Sequence, residues 1–133
     1  MEKIIETKWL DRSLIVGPHL ALVLSEKEFH QAMKDCHIPK PERGAWLKNS
    51  YCDATVHHLE NPQGSQCCIV ALRVTKKHSI MQVNAMLVHE AVHIWQAFKQ
   101  HIGERKPSRE FEAYSIQAIA QRLMESYDDR GKR

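Results

Sequence analysis

The fold of this chain is decided by residues 79–103, which read SIMQVNAMLVHEAVHIWQAFKQHIG. Ser79 with Gln82 three residues later predicts a capping box at the start of a helix, and Gly103 predicts its end. Apolar side chains recur at helical spacing between these two points: Val83, Met86, Leu87, Ile94 and Phe98. The segment therefore predicts one long amphipathic helix that packs against a core.

The segments before this helix predict one strand and one shorter helix. Residues 20–24, LALVL, form an apolar run that is typical of a short strand. Ser25 with Glu28 three residues later predicts a second capping box. We expect the helix that it opens to end near His37, just before a proline.

A β-hairpin is predicted by residues 54–60 and 66–74, two β-rich runs joined by Asn61-Pro62-Gln63-Gly64-Ser65. This linker favours a type I turn that closes into a glycine bulge. The second run is apolar on both faces until Arg73, so we expect this strand to lie against the core.

After the long helix, the sequence predicts a last helix and a frayed tail. Ser108 predicts the cap of a helix over residues 109–127, and residues 128–133 are expected to fray. The element order is then strand, helix, hairpin, long helix and final helix. This order predicts an α+β fold with a small mixed or antiparallel sheet, and with its helices, including the long and C-terminal ones, on one side of that sheet.

The composition of the 133 residues is that of an ordinary globular protein, with 43% hydrophobic and 26% charged residues, and the length suits a single domain over residues 1–133. The net charge of +3 comes from scattered basic residues, which does not favour nucleic acid as a partner. No apolar run approaches the roughly 18 residues that a membrane span needs, and the start of the chain has no secretion signal. We therefore expect a cytoplasmic protein with reduced cysteines.

The chemistry of the chain is indicated by His89-Glu90-Ala91-Val92-His93, an H-E-x-x-H pattern in the middle of the long helix. Residues four apart project from the same face of a helix, so the two histidines can bind one zinc ion. Glu90 beside them is placed to act as the general base toward a zinc-activated water. The pattern therefore predicts one Zn²⁺ per chain and a hydrolytic site.

A zinc site with two histidines needs at least one further protein ligand. His101 lies about 12 Å along the same helix from His93 and cannot reach the same ion. Glu110 and Glu112 open the next helix. Glu112 shares a face with the apolar core positions of that helix, so we expect it to point inward and bind the metal, with Glu110 as the alternative.

Together these residues resemble a known class of enzyme. His89-Glu90-x-x-His93 followed on the next helix by Glu112-Ala113 is similar to the gluzincin class of zinc metallopeptidases, and most of all to small zincin-like domains of bacteria and phages. The resemblance implies a minimal zincin-like domain in which His89, His93 and Glu112 are zinc ligands and Glu90 is the catalytic base. A phage or prophage origin would fit so compact a domain.

The resemblance covers residues from about 56 to 123 and extends to the mode of substrate binding. In such enzymes the strand before the motif helix is a sheet edge, on which an extended peptide lies as an added strand. Here that part would fall to residues 67–74. The resemblance thus implies that Ile69, Ala71 and Arg73 contact a peptide or protein substrate.

Two departures from the class are visible. Ile116 stands where thermolysin-like members have an aspartate that orients the first histidine. We also expect no counterpart here of the second domain that stabilises the oxyanion in larger members. Tyr51, His57 and His58 are the candidates for that role, and His57 and His58 alternate on a strand, so at most one of them can face the zinc.

Three functions follow from these patterns. The first is a zinc-dependent metallopeptidase that uses Glu90 as general base. The alternative is a metal-binding zincin-fold module for interaction or regulation, without significant hydrolysis. A third interpretation is a small nucleic-acid-binding or structural protein in which the motif is accidental. The substrate and the oligomeric state are not specified by these patterns.

Overall fold

The sheet is built from four strands within the described residues: β1 (Trp9–Leu10), β2 (His19–Val23), β3 (Ala54–Glu60) and β4 (Gln66–Leu72). In the computed structural model, which describes residues 5–10 and 18–131, the strand order is β1-β2-β4-β3. β2 pairs with β4 in parallel, whereas β1 with β2 and β3 with β4 are antiparallel. The sheet is therefore mixed, β4 is an interior strand, and β3 is an edge.

Three α-helices cover this sheet in the described part of the chain: α1 (Glu26–Asp35), α2 (Ile80–His101) and α3 (Arg109–Gly131), with a 3-10 turn at Lys40–Glu42. The α+β class is confirmed, and α2 and α3 share one face of the sheet as predicted. α1 packs on the opposite face, so the expectation that all helices lie on one side was wrong. Each described helix is too short or too polar to span a membrane.

The residues of β4 explain why helices are needed on both faces. Successive side chains of a strand point to opposite sides, and those of β4 are apolar on both. One row, Cys67, Ile69 and Ala71, packs with α1. The other row, Cys68, Val70 and Leu72, packs with α2 and α3. All six side chains are buried, so β4 is the centre of the core.

The turn of the hairpin and the start of α1 have the predicted geometry, whereas α1 ends earlier than predicted. Gly64 has a φ of 84°, and its N–H donates to the Asn61 carbonyl oxygen at 2.8 Å, as expected for a tight turn with a left-handed glycine. Ser25 accepts from the Glu28 N–H, which confirms the predicted cap of α1. α1 ends at Asp35 rather than near His37, because His37 takes a positive φ of 59°.

The boundaries of α2 follow the prediction closely. The Ser79 hydroxyl accepts from the Gln82 N–H at 3.1 Å, and the Gln82 side-chain oxygen accepts from the Ser79 N–H at 2.7 Å. Both halves of the capping box are therefore present. The helix runs to His101, and Gly103 has a φ of 77°. α2 thus carries the H-E-x-x-H pattern in its middle turns.

The predicted fraying of the chain end was wrong for residues 128–131. α3 continues to Gly131, and residues 132–133 lie outside the described residues. Arg130 accounts for the extension, because its guanidinium donates to the Glu28 carboxylate of α1 and to the Leu22 carbonyl oxygen of β2. This contact ties the end of α3 to the far side of the sheet.

A polar cluster holds β3 beside the start of α2. The Asp53 carboxylate accepts from the Arg73 guanidinium at 3.1 Å and lies 3.2 Å from Nε2 of His78. Arg73 also donates to the carbonyl oxygens of Ser50 and Cys52 at 3.0 Å. The loop before β3 is therefore joined to the loop before α2. Arg73 contributes to this joint, whereas the resemblance to zinc metallopeptidases had implied that it contacts a substrate.

We predict that Asp53→Asn lowers the melting temperature at pH 7, and that the loss shrinks in acid. The hydrogen bond from Arg73 holds the pKa of Asp53 below its usual value of 3.8. A carboxylate whose pKa is lowered on folding contributes stability above its unfolded pKa, and loses that contribution as pH falls through the folded value. Thermal unfolding followed by circular dichroism at pH 7 and below pH 3 measures the difference.

The control for this prediction is Asp35→Asn, which removes an exposed aspartate whose carboxylate accepts from the Gln31 side chain. Its effect at pH 7 should be smaller than that of Asp53→Asn, because an exposed polar contact contributes little. A loss in Asp53→Asn that stays the same at both pH values would contradict a role for the charge.

Candidate functional site

His89 and His93 lie next to each other on the exposed face of α2. Their Nε2 atoms are 3.2 Å apart, and their rings meet edge to face at an interplanar angle of 73°. Two nitrogens bound to one zinc ion at 2.0–2.1 Å in tetrahedral geometry lie about 3.3 Å apart. The predicted common face is confirmed, and the spacing of the two nitrogens fits two positions around one zinc ion.

Gln96 orients one ring of this pair. Nδ1 of His93 donates to Oε1 of Gln96 at 3.2 Å. An amide oxygen can only accept, so the bond keeps the proton on Nδ1 and the lone pair on Nε2. Metal-binding histidines depend on such a partner for their tautomer and orientation. Sequence analysis did not identify Gln96 in this role, although its spacing of three residues from His93 was the available signal.

Glu90 lies about 100° further around α2 than His89 and faces the space between α2 and the sheet. The residue is 8% exposed, and its carboxylate has no hydrogen-bond partner among the described residues. Burial raises its pKa, and the neighbouring His89 and His93 oppose that effect. A buried carboxyl of this kind accepts and releases a proton nearer to neutral pH than an exposed glutamate does, which is the property of a general acid–base group.

An open groove of about 470 Å³ lies between α2 and the edge strand β3. From α2 it is lined by Glu90, His93, Gln96, Ala97 and Gln100, and from the β3 side by Lys48, Ala54, Thr55, Val56 and His58. The structure therefore brings the catalytic-base candidate, one histidine of the pair and one predicted oxyanion candidate to the same groove. Lys48 adds a positive charge that the sequence analysis did not identify.

The three candidates for stabilising the oxyanion, Tyr51, His57 and His58, lie in different surroundings in the structure. The ring of His58 contacts Cys68, with Nδ1 3.5 Å from Sγ, and Cys68 belongs to the core under α2 and α3. His57 faces the other way: it stacks on Phe29 of α1 at 4.6 Å, and its Nε2 lies 2.9 Å from the Trp46 carbonyl oxygen. The predicted alternation is confirmed.

Tyr51, the third candidate, lies in the loop before β3. It is 93% exposed and is not among the residues that line the groove. Of Tyr51, His57 and His58, only His58 therefore reaches the groove, which leaves it as the one oxyanion candidate that the structure brings near Glu90.

Glu112 has a different partner from the one expected. Its Oε2 accepts from the indole Nε1–H of Trp95 at 2.8 Å and lies 3.5 Å from Nζ of Lys99. The bond from Trp95 is the main reason that the pKa of Glu112 is lowered. Trp95 is two residues beyond His93, about 200° around the helix axis, so Glu112 lies against another side of α2.

The glutamates of α3 are consequently not brought together with the histidine pair. Glu110 is exposed. Within residues 5–10 and 18–131, no group of three or more His, Cys, Asp or Glu side chains is arranged to hold one metal ion. Glu112 is turned toward α2, but its side chain remains 38% exposed, and the group that it meets there is the indole of Trp95.

The expected substrate strand also needs correction. β4 pairs with β2 on one side and with β3 on the other, so its backbone has no free edge for an added strand. Ile69 and Ala71 are completely buried. They therefore cannot contact a substrate as the resemblance had implied, and the free edge beside the groove belongs to β3.

We predict that Glu112→Ala lowers the melting temperature more than Glu112→Gln does. Alanine leaves the indole N–H of Trp95, a residue that is 1% exposed, without its acceptor, whereas the glutamine side-chain oxygen can still accept it. Thermal unfolding of both variants beside the wild type measures the difference. Equal losses in the two variants would show that the indole bond does not contribute.

No protein-family model, no curated protein and no solved structure matches the chain.

Proposed function

We propose that the groove between α2 and β3 is a zinc-dependent site that hydrolyses peptide bonds. The observation that carries this proposal is the distance of 3.2 Å between the Nε2 atoms of His89 and His93, which lie one helical turn apart on α2. Glu90, which follows His89 in the sequence, adds a buried carboxyl. When bound, zinc would act as a Lewis acid that polarises the scissile carbonyl and lowers the pKa of water. His89 and His93 would hold it.

The residues of the groove would orient the metal ligands and transfer the protons. Gln96 keeps the Nε2 lone pair of His93 available by accepting the Nδ1 proton. Glu90 takes a proton from the attacking water and later gives it to the leaving amine. Burial suits Glu90 to both steps, because its raised pKa lets the carboxyl hold the proton between them. His58 lines the same groove from the sheet side.

The substrate is proposed to be a peptide or protein segment in extended conformation. β3 is an edge strand, and its outer backbone groups can bind such a segment as an additional strand. Its residues Ala54, Thr55 and Val56 line the groove that also contains Glu90 and His93. A segment bound there would run alongside the acid–base group, which supports peptide bonds as the reacting groups.

A second candidate function is favoured by one observation. The described residues hold no ready three-ligand group, and Glu112 is engaged by Trp95. A two-histidine site without further ligands would bind metal weakly. The groove would then serve in a binding or regulatory module without significant hydrolysis.

The cysteines bear on where the protein acts. All four, Cys36, Cys52, Cys67 and Cys68, are free thiols, and three of them are buried. Thiols stay reduced in the cytoplasm, where disulfides are rare. We therefore propose the cytoplasm as the location of the activity.

We predict that Glu90→Gln retains zinc but lowers the hydrolysis rate by about 10²- to 10⁴-fold, the usual contribution of a general acid–base group. The amide has the size of the carboxyl but cannot accept the proton. The zinc-reconstituted protein is incubated with a mixture of unstructured peptides, and cleavage is followed by mass spectrometry. Metal content is measured by elemental analysis.

Glu110→Gln is the matched control, because it makes the same change at an exposed position on α3 and should leave the rate unchanged. Wild type and Glu90→Gln cleaving at equal rates would rule out the proposed base. A wild type that binds zinc and cleaves no peptide would favour the second candidate function.

A further inference from the structure

The groove contains one imidazole from the sheet, that of His58, which has so far been considered only as an oxyanion candidate. His58 of β3, Glu90 and His93 line the same space, with β3 on one side and α2 on the other. We propose that His58 is the third protein ligand of the metal that His89 and His93 hold. The inference rests on the proposed function. It places the third ligand on the edge strand β3, whereas the resemblance had implied Glu112 on α3.

The placement of His58 on its strand supports this role. His57 and His58 are neighbours on β3, but only His58 has its ring on the side of the sheet that α2 covers. It is the more exposed of the two, and it lies on an edge strand. Its side chain can therefore move toward α2 without opening the core.

One ring nitrogen of His58 has a contact in the structure, and the other is available to bind a metal ion. Nδ1 lies 3.5 Å from the sulfur of Cys68, and the described residues offer no hydrogen bond to Nε2. Three imidazole nitrogens with a fourth position left open for water or substrate form a known arrangement of catalytic zinc. No such trio is already assembled in the described part of the chain, so metal binding must draw the His58 ring away from Cys68. A thiol is a weak partner, so little opposes that movement.

Glu112 is less suited to the same role. Its carboxylate accepts the indole N–H of Trp95, which is buried, and lies near Lys99. A move of Glu112 toward the histidine pair would leave that N–H unpaired inside the protein, which is unfavourable. His58 gives up only a long contact to sulfur, and it already lines the groove.

The test is the zinc affinity of the full chain, measured by competition with a chromophoric chelator, which does not depend on catalytic activity. We expect His58→Ala to weaken zinc binding by more than about 100-fold, since even the loss of an outer-shell partner costs 10- to 100-fold. His57→Ala is the matched control: the same change one residue away, on the opposite face of β3. It should bind zinc as the wild type does, and so should Glu112→Ala. Circular dichroism verifies that each variant is folded.

Each outcome has a defined meaning. Equal affinities of His58→Ala and His57→Ala would overturn the ligand role of His58, and a loss confined to Glu112→Ala would do so in favour of α3. If His58→Ala does not fold, His58→Phe retains a ring in its place and is expected to show the same loss. The proposed function fails separately: His89→Ala would then bind zinc as well as the wild type, whatever His58 does.

Discussion

Residues 67–72 of β4 are buried on both faces of the sheet, and this burial determines where the other elements must pack. Ile69, Val70, Ala71 and Leu72 have no exposed surface, and their side chains alternate between two cores. Burying a large aliphatic side chain contributes about 1.5–3 kcal/mol, so neither face can be left open to water. α1 therefore covers one face, while α2 and α3 cover the other. With β2 on one side of β4, the remaining side goes to β3, which becomes the edge strand.

The groove between α2 and β3 follows from this arrangement. α2 lies over the face of the sheet next to β3, and its helical period divides the motif between two environments. His89 and His93 stay exposed on one face, whereas Glu90, about 100° further around the axis, turns toward the sheet. One pentapeptide thus supplies both a nitrogen pair facing solvent and a carboxyl whose pKa is raised by burial. The contacts that Arg73 and His78 make with Asp53 join the loop before β3 to the loop before α2.

Local signals in the sequence were sufficient for most of the elements. The capping boxes at Ser25 and Ser79 located the starts of α1 and α2, because they depend only on residues three apart. The shared face of His89 and His93, and the opposite faces of His57 and His58, followed from helical and strand periods. These features need no knowledge of distant parts of the chain.

Features that depend on distant partners were not predictable in this way. The parallel pairing of β2 with β4 joins residues that are 48 positions apart in the chain, such as His19 and Cys67, and it makes β4 interior where an edge was expected. Periodicity placed Glu112 on the face of α3 that carries the core positions, but it could not show that the buried indole of Trp95 would be its partner. The extension of α3 depends on Arg130 reaching Glu28, 102 residues earlier in the chain. In each case tertiary contacts decide what local pattern leaves open.

We propose that the histidines of α2 hold a zinc ion. X-ray absorption at the zinc edge of the metal-loaded wild-type protein identifies the atoms bound to the metal from their distances and scattering. We expect imidazole nitrogens at about 2.0–2.1 Å and no sulfur bound to the metal. Sulfur atoms near 2.3 Å would assign the metal to the cysteines instead, and zinc binding by the histidines of α2 would then be wrong.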